Sequence, residues 1–191
     1  MKLSRSLGIA WACMGICLFC AYQSDAWGQI VLKKRGDLAA KVEDYLNAKK
    51  WTFSENESDD IDKTIFWLSF KGENTSFKSY YTTDEKMRWF RLLSVTDFKV
   101  PAGKRNLAAE YLTRVNDVRS LGCFDMDYDD GTVLYRIGVD TEGGELVEKM
   151  IDNITIDSQI AMEKFIPGLL KVIYGELPPE EVLKEVLTKQ P

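Results

Sequence analysis

Three runs of alternating apolar and polar residues, joined by short turns, constrain this chain more than any other feature. Residues 64–70 and 76–82 are rich in β-branched and aromatic side chains, and 86–95 continues the pattern with Trp89, Phe90, Leu92 and Leu93. Gly72-Glu73-Asn74 and Thr83-Asp84-Glu85 lie between them as turn signals. Connections this short join antiparallel neighbours, so the three runs predict a β-meander. Side chains alternate across a strand, and a slip of one residue exchanges the faces. With turns of even length, one face holds Phe66, Leu68, Phe70, Phe77, Tyr81, Phe90 and Leu92, a core face. The other holds Trp67, Ser69, Lys78, Tyr80, Trp89, Arg91 and Leu93. Trp, Tyr and Arg dominate the residues that carry binding energy at interfaces. Trp67, Lys78, Tyr80, Trp89 and Arg91 are therefore the candidate partner-binding face. The competing expectation is a helix, of this chain or of a second subunit, laid over that face.

Helical periodicity surrounds the meander. Leu38, Val42, Tyr45 and Leu46 follow Asp37, a plausible N-cap, and predict a helix over 37–49. Residues 51–55 read as a short strand and 55–62 as an acidic loop. After Pro101 and Gly103, Leu107, Ala108, Tyr111, Leu112, Val115 and Val118 mark a helix over 104–119. The stretch from Gly122 to Arg136 reads as a hairpin around Asp130-Gly131. Phe124, Met126 and Tyr128 share a face on its first strand, and Val133, Tyr135, Ile137 and Val139 on its second. From Glu145, Leu146 to Ile173 keep helical spacing as one helix or two, with a kink expected at Pro167. Gly175 is a stop, and Pro178-Pro179 opens a last short helix. The expected fold is α+β: a three-stranded meander plus a hairpin in one antiparallel sheet, backed by helices.

The first 28 residues read as a signal peptide. Lys2 and Arg5 precede an uncharged, mostly apolar run over 7–22, and Ala26 with Gly28 gives the small-residue spacing of a cleavage site after Gly28. The run is shorter than the roughly 20 residues of a spanning helix. The expectation is an exported protein, periplasmic or extracellular, with a single domain over 29–191 and no membrane span after cleavage. Removing the leader takes Cys13, Cys17 and Cys20 with it and leaves Cys123 alone, which excludes an internal disulfide. Cys123 is expected as a small buried strand residue. Without Lys2, Arg5 and Asp25, 23 basic and 29 acidic residues remain, a net charge near −6. An acidic chain without a basic stripe argues against a nucleic-acid partner.

The sequence has no histidine. Serine or cysteine nucleophiles activated by histidine cannot form, nor can histidine-ligated metal sites. Asp125, Asp127 and Asp129 have the opening spacing of a calcium-binding EF-hand loop. That loop needs Gly at its sixth position and Glu at its twelfth, where Asp130 and Arg136 stand. The aspartates are expected instead on the solvent side of a hairpin, and no cofactor is expected. Asn56, Asn74 and Asn153 fit a glycosylation pattern that is common by chance. Many acidic residues allow a carboxylate-dependent hydrolase in principle, but nothing singles out a pair.

An ordered set of short motifs carries a resemblance. Val100-Pro101, Arg105, Tyr111-Leu112-Thr113-Arg114-Val115-Asn116, Gly122-Cys123-Phe124-Asp125, Asp130-Gly131 and Tyr135-Arg136 come first. Phe165-Ile166-Pro167, Val172-Ile173-Tyr174-Gly175 and Pro179-Glu180-Glu181-Val182 follow. Over residues 100–183 this resembles the YbjN domain family of bacterial sensory transduction regulators; over 37–97 the likeness rests on element order. The resemblance implies a fold similar to type III secretion chaperones, which are dimeric and bind unfolded client segments. It implies no catalytic residues. The leader departs from cytoplasmic members. The first functional expectation is an exported, non-enzymatic regulatory or interaction module that binds a protein or peptide through the sheet face or edge, with a homodimer allowed. The alternatives are the hydrolase and a small-ligand sensor with an apolar pocket.

Overall fold

In the computed structural model, residues 36–188 are described, apart from residues 57 and 176. The contacts divide the chain into Met1–Lys34, outside the described residues, and Arg35–Pro191, the unit described below. The leader and its cleavage site lie outside the described residues.

Helix α1 (Asp37–Ala48) is followed by strands β1 (Ser54–Asn56), β2 (Lys63–Lys71), β3 (Ser76–Asp84) and β4 (Trp89–Lys99). A single 3₁₀ turn (Ala102–Lys104) leads into α2 (Arg105–Asp117). Then come β5 (Cys123–Met126), β6 (Thr132–Asp140), the long α3 (Glu148–Tyr174) and α4 (Pro179–Thr188). The strands form one six-stranded antiparallel sheet in the order β1-β2-β3-β4-β6-β5. The expected α+β fold with meander and hairpin is the observed one.

The two meander turns, residues 72–75 and 85–88, are both even in length. Register therefore assigns the faces as the alternation predicts: Trp67 pairs with Tyr80, and Tyr80 with Leu93. The opposite face carries Phe66, Leu68, Phe77, Tyr81, Phe90 and Leu92, all buried, with Phe70 packed beside them. Burying side chains of this size contributes roughly 1.5–3 kcal/mol each.

All four helices of the described residues contribute to the core. α1 buries Leu38, Ala39, Val42, Tyr45 and Leu46. Its N-cap is Gly36; Asp37 is already helical and binds Arg88 through two hydrogen bonds of 2.7 and 3.2 Å. The Ala39 amide donates instead to the Glu85 carboxylate at 3.0 Å, so the β3–β4 turn caps this helix. α3 crosses behind the sheet. Its Ser158 hydroxyl meets Ser94 at 2.7 Å, Ser94 meets Ser79 at 2.8 Å, and Thr155 meets the Tyr81 hydroxyl at 3.3 Å. These buried hydroxyls partner one another, which removes the cost of placing them in a core. α3 is a single helix of 27 residues that includes Pro167. Gly168 next to it lets α2 come close: a Cβ there would stand 2.1 Å from the Tyr111 hydroxyl oxygen. That hydroxyl donates to the Phe165 carbonyl, an acceptor on the same turn, at 3.0 Å.

The hairpin differs in one respect from expectation. Its connection is residues 127–131 rather than a two-residue Asp-Gly turn. The Asp127 carboxylate accepts the amides of Asp129 (2.8 Å) and Asp130 (3.3 Å), while Gly131, at φ +81°, returns its amide to the Asp127 carbonyl at 2.8 Å. Side-chain capping of its own backbone lets aspartate lengthen the turn. Tyr128 consequently sits exposed in the turn and not on the Phe124 face.

Candidate functional site

The outer face of the sheet is where the sequence placed a binding surface. β2 contributes Ile65, Trp67 and Ser69; β3 contributes Lys78 and Tyr80; β4 contributes Trp89, Arg91, Leu93 and Val95. Register carries the central row Trp67–Tyr80–Leu93 on to Arg136 of β6 and Cys123 of β5. Strand alternation puts all five predicted residues on this one face. Lys78 is exposed, and Trp67, Tyr80, Trp89 and Arg91 are half-buried among their neighbours. The described helices pack on the inner face, and the expected covering helix is not found among the described residues.

The cations on this face are paired with rings. The Lys78 ammonium lies 5.7 Å from the centre of the Trp67 indole, and the Arg91 guanidinium 5.0 Å from that of Trp89. Cations over aromatic faces at this range gain about 0.5–1 kcal/mol where exposed and more where desolvated. The Arg91 Nε is buried without a hydrogen-bond partner. Arg136 differs: it forms an ion pair with Asp125 at 2.9 Å and lies 3.8 Å from the Cys123 sulfur. The expectation for Cys123 is corrected. Phe124 points inward, so its neighbour Cys123 points outward on the edge strand and is half-buried.

Two clefts flank the sheet edge at β5. The first, about 370 Å³, opens before β5 begins, at Leu121 and Gly122. Arg136 is the last β6 residue paired with β5, so Ile137–Asp140 carry a partner strand, β4, on one side only. Leu121, Val139, Met150 and Ile154 line this groove. Sequence reasoning missed it; the signal was the brevity of β5 beside a β6 of nine residues. The second cleft, about 320 Å³, holds Arg119, Asp157, Lys164 and Phe165. There Asp157 accepts from Arg119 at 2.7 Å and from the Tyr135 hydroxyl at 2.5 Å. Burial, and then that bond to Asp157, push the Tyr135 phenol up.

Neither cleft brings two carboxylates face to face. The carboxylates that depart clearly from their ordinary range are held low: Asp37 by Arg88, Asp60 by Lys63, Asp130 by Lys99, Asp152 by Lys49 and Glu180 by Lys184. A general acid needs the opposite shift. Three of the hairpin aspartates, Asp125, Asp127 and Asp130, are committed to structure. Besides the Asp127 cap and the Asp125–Arg136 pair, Asp130 accepts the Thr132 amide at 2.8 Å and its hydroxyl at 2.9 Å, and pairs with Lys99. Among the described residues no cluster of carboxylate or thiol groups is arranged to hold a metal ion, and no helix is long and apolar enough to cross a membrane.

The model of the YbjN family, described as "Putative bacterial sensory transduction regulator", matches residues 38–170, more than half of the chain. The chain belongs to the YbjN family. The match spans nearly all of α1, the whole sheet, α2 and most of α3, so it contains the outer face, the first cleft and the second cleft apart from Leu187 of α4. No curated protein matches the chain significantly. The family description fits a regulatory module.

Proposed function

We propose that this YbjN-family chain is an exported regulatory module that binds a protein or peptide partner on the outer face of its sheet. One observation carries the reading: a row of Trp67, Tyr80 and Leu93 with no helix over it among the described residues, flanked by Lys78 and Arg91 stacked on indoles. Large amphipathic rings and partly desolvated cations are the groups that become binding hot spots when a partner excludes water. The leader in residues 1–28 supports export. Amino-terminal sequencing of the protein from a fractionated culture tests it; a start at Gln29 is expected, and an intact leader on cytoplasmic protein removes it.

The face is tested by a photo-crosslinker at Tyr80, compared with one at Lys149 on α3. Adducts confined to the Tyr80 probe, and lost on Trp67→Ala, support the reading. Equal labelling from both sites sinks it. Light scattering gives the mass; a dimer whose interface includes Tyr80 would make the second copy the partner. The apolar groove beside β5 supports a second reading, a small-ligand sensor. A thermal-shift screen separates the two, because a sensor responds to a metabolite and an interaction module does not.

A further inference from the structure

Two cations in the middle of the outer face, Lys78 and Arg91, form no ion pair among the described residues, and their positions specify what a partner must bring. Of the other strand cations, Lys63 pairs with Asp60 and Asp84, Lys99 with Asp130 and Arg136 with Asp125, while the exposed Lys71 at the end of β2 forms no ion pair among the described residues. Lys78 and Arg91 lie on rings instead. Arg91 is also partly desolvated, with its Nε buried and without an acceptor. A cation in that state gains more from an incoming carboxylate than a hydrated one does, because the effective dielectric is lower.

The ladder fixes their spacing. Lys78 pairs with Val95, Tyr80 with Leu93, and Thr82 with Arg91. Lys78 and Arg91 therefore flank the Trp67–Tyr80–Leu93 row, one on each side, on adjacent strands. Four residues along a strand and one strand spacing across put their Cα atoms about 14 Å apart. An extended segment lying along the sheet repeats the same periodicity, since its side chains i, i+2 and i+4 share a face and span about 13 Å.

We propose that the outer face takes an extended polypeptide segment with Asp or Glu at i and i+4 and a large apolar residue at i+2. The carboxylates meet Lys78 and Arg91, and the apolar residue covers the Trp67–Tyr80–Leu93 row. This deepens the partner-binding reading and rests on it. The sequence as a whole is acidic, with net charge −5, so a long anionic polymer meets repulsion beyond this face. A short segment senses only charges within about a Debye length, roughly 8–10 Å.

Fluorescein-labelled nine-residue peptides test this by anisotropy with the purified protein. They share a central Leu and carry Glu, Gln or Lys at the two flanking positions. The Glu peptide is expected to bind about tenfold tighter than the Gln peptide, weakening with salt, and the Lys peptide weakest. The double variant K78E/R91E, with its fold checked by circular dichroism, is expected to invert the order. W67A/Y80A is expected to weaken all three alike. Equal affinities across the three peptides, or no effect of K78E/R91E, overturn the charge assignment. If W67A/Y80A still abolishes binding in that case, the partner-binding face survives without it. Binding of no peptide overturns both. Tighter binding of a ten-residue oligothymidylate than of the Glu peptide, lost in K78E/R91E, also overturns it and assigns the face to single-stranded nucleic acid.

Discussion

The two faces of this sheet are built from the same strands and differ in how their polar groups are satisfied. On the inner face every hydroxyl of the Ser79–Ser94–Ser158 chain has a partner, and the aromatic rings of Phe66, Phe77, Tyr81 and Phe90 are buried. On the outer face the rings are half-buried, and Lys78 and Arg91 find aromatic faces rather than carboxylates. The inner face is covered by the chain's own helices, although the buried Thr83 hydroxyl on it has no partner among the described residues. The outer face keeps its rings and these two cations at least partly exposed. Adjacent residues of one strand can thus be given wholly different tasks by a period of two.

Phe66 and Trp67 give the sharpest way to break that contrast. Phe66→Ala empties a site that is fully buried and meets Phe53 edge-on at 5.5 Å. Its expected cost in urea unfolding is about 3–5 kcal/mol. If Trp67→Ala cost as much, the outer face would be as enclosed as the inner one, and the distinction would fail.

The hydroxyl chain comes next. Ser94 is fully buried and bonds Ser79 at 2.8 Å and Ser158 at 2.7 Å. Ser94→Ala leaves both neighbours without that partner, and a loss of about 2 kcal/mol is expected from denaturant midpoints. Substituting all three serines by Ala should recover part of it, because no unpaired hydroxyl then remains. A triple variant less stable than Ser94→Ala would show that the seam is more than mutual satisfaction.

Proton linkage separates the regions as well. Burial pushes the phenols of Tyr81, Tyr111 and Tyr135 up. In the unfolded chain they ionise near pH 10, while the folded state keeps them neutral. Their contribution is whole below about pH 10 and lost as pH rises above it. At the acid end the sign reverses. Lys99 first, and then the Thr132 bonds, hold Asp130 well below the usual carboxylate range. The hairpin is stabilised above about pH 4, and that contribution is lost as pH falls further. Equilibrium unfolding across pH checks both limbs: Tyr81→Phe should flatten the alkaline one, and Asp130→Asn the acid one. An unchanged alkaline limb in Tyr81→Phe would show that its hydroxyl is not enclosed.

Much of this contrast was legible in the residues, for a definite reason. Strand periodicity is local, so the pairing of Trp67 with Tyr80 and the burial of Phe66 follow from the residues once both turns are even; the sequence marks the second turn at 83–85, whereas Thr83 and Asp84 belong to β3 and the turn is 85–88. Strand order does not follow from them. The sequence marks the 122–136 hairpin, but β6 lies against β4 and β5 takes the edge because β5 has only four residues to pair. The groove of Leu121, Met150 and Ile154 follows from that shortness and stayed hidden with it. The five-residue turn escaped because Asp127 caps it with its own side chain. The site residues were legible as a face. That Lys78 would lie on Trp67, and Arg91 on Trp89, depends on rotamers that no period encodes.

The smallest expected stability change carries the most information about function. Trp67 is half-buried on a face with no described helix over it, so Trp67→Ala should cost below about 1.5 kcal/mol in urea unfolding, the lost ring contact with Lys78 included. A residue selected for the fold is costly to remove, whereas one held for a partner is cheap until the partner arrives. The same variant should therefore lose most of its crosslinking at Tyr80 while keeping its unfolding midpoint nearly unchanged. A large stability loss with binding retained would reverse the assignment and make the Trp67 row part of the core.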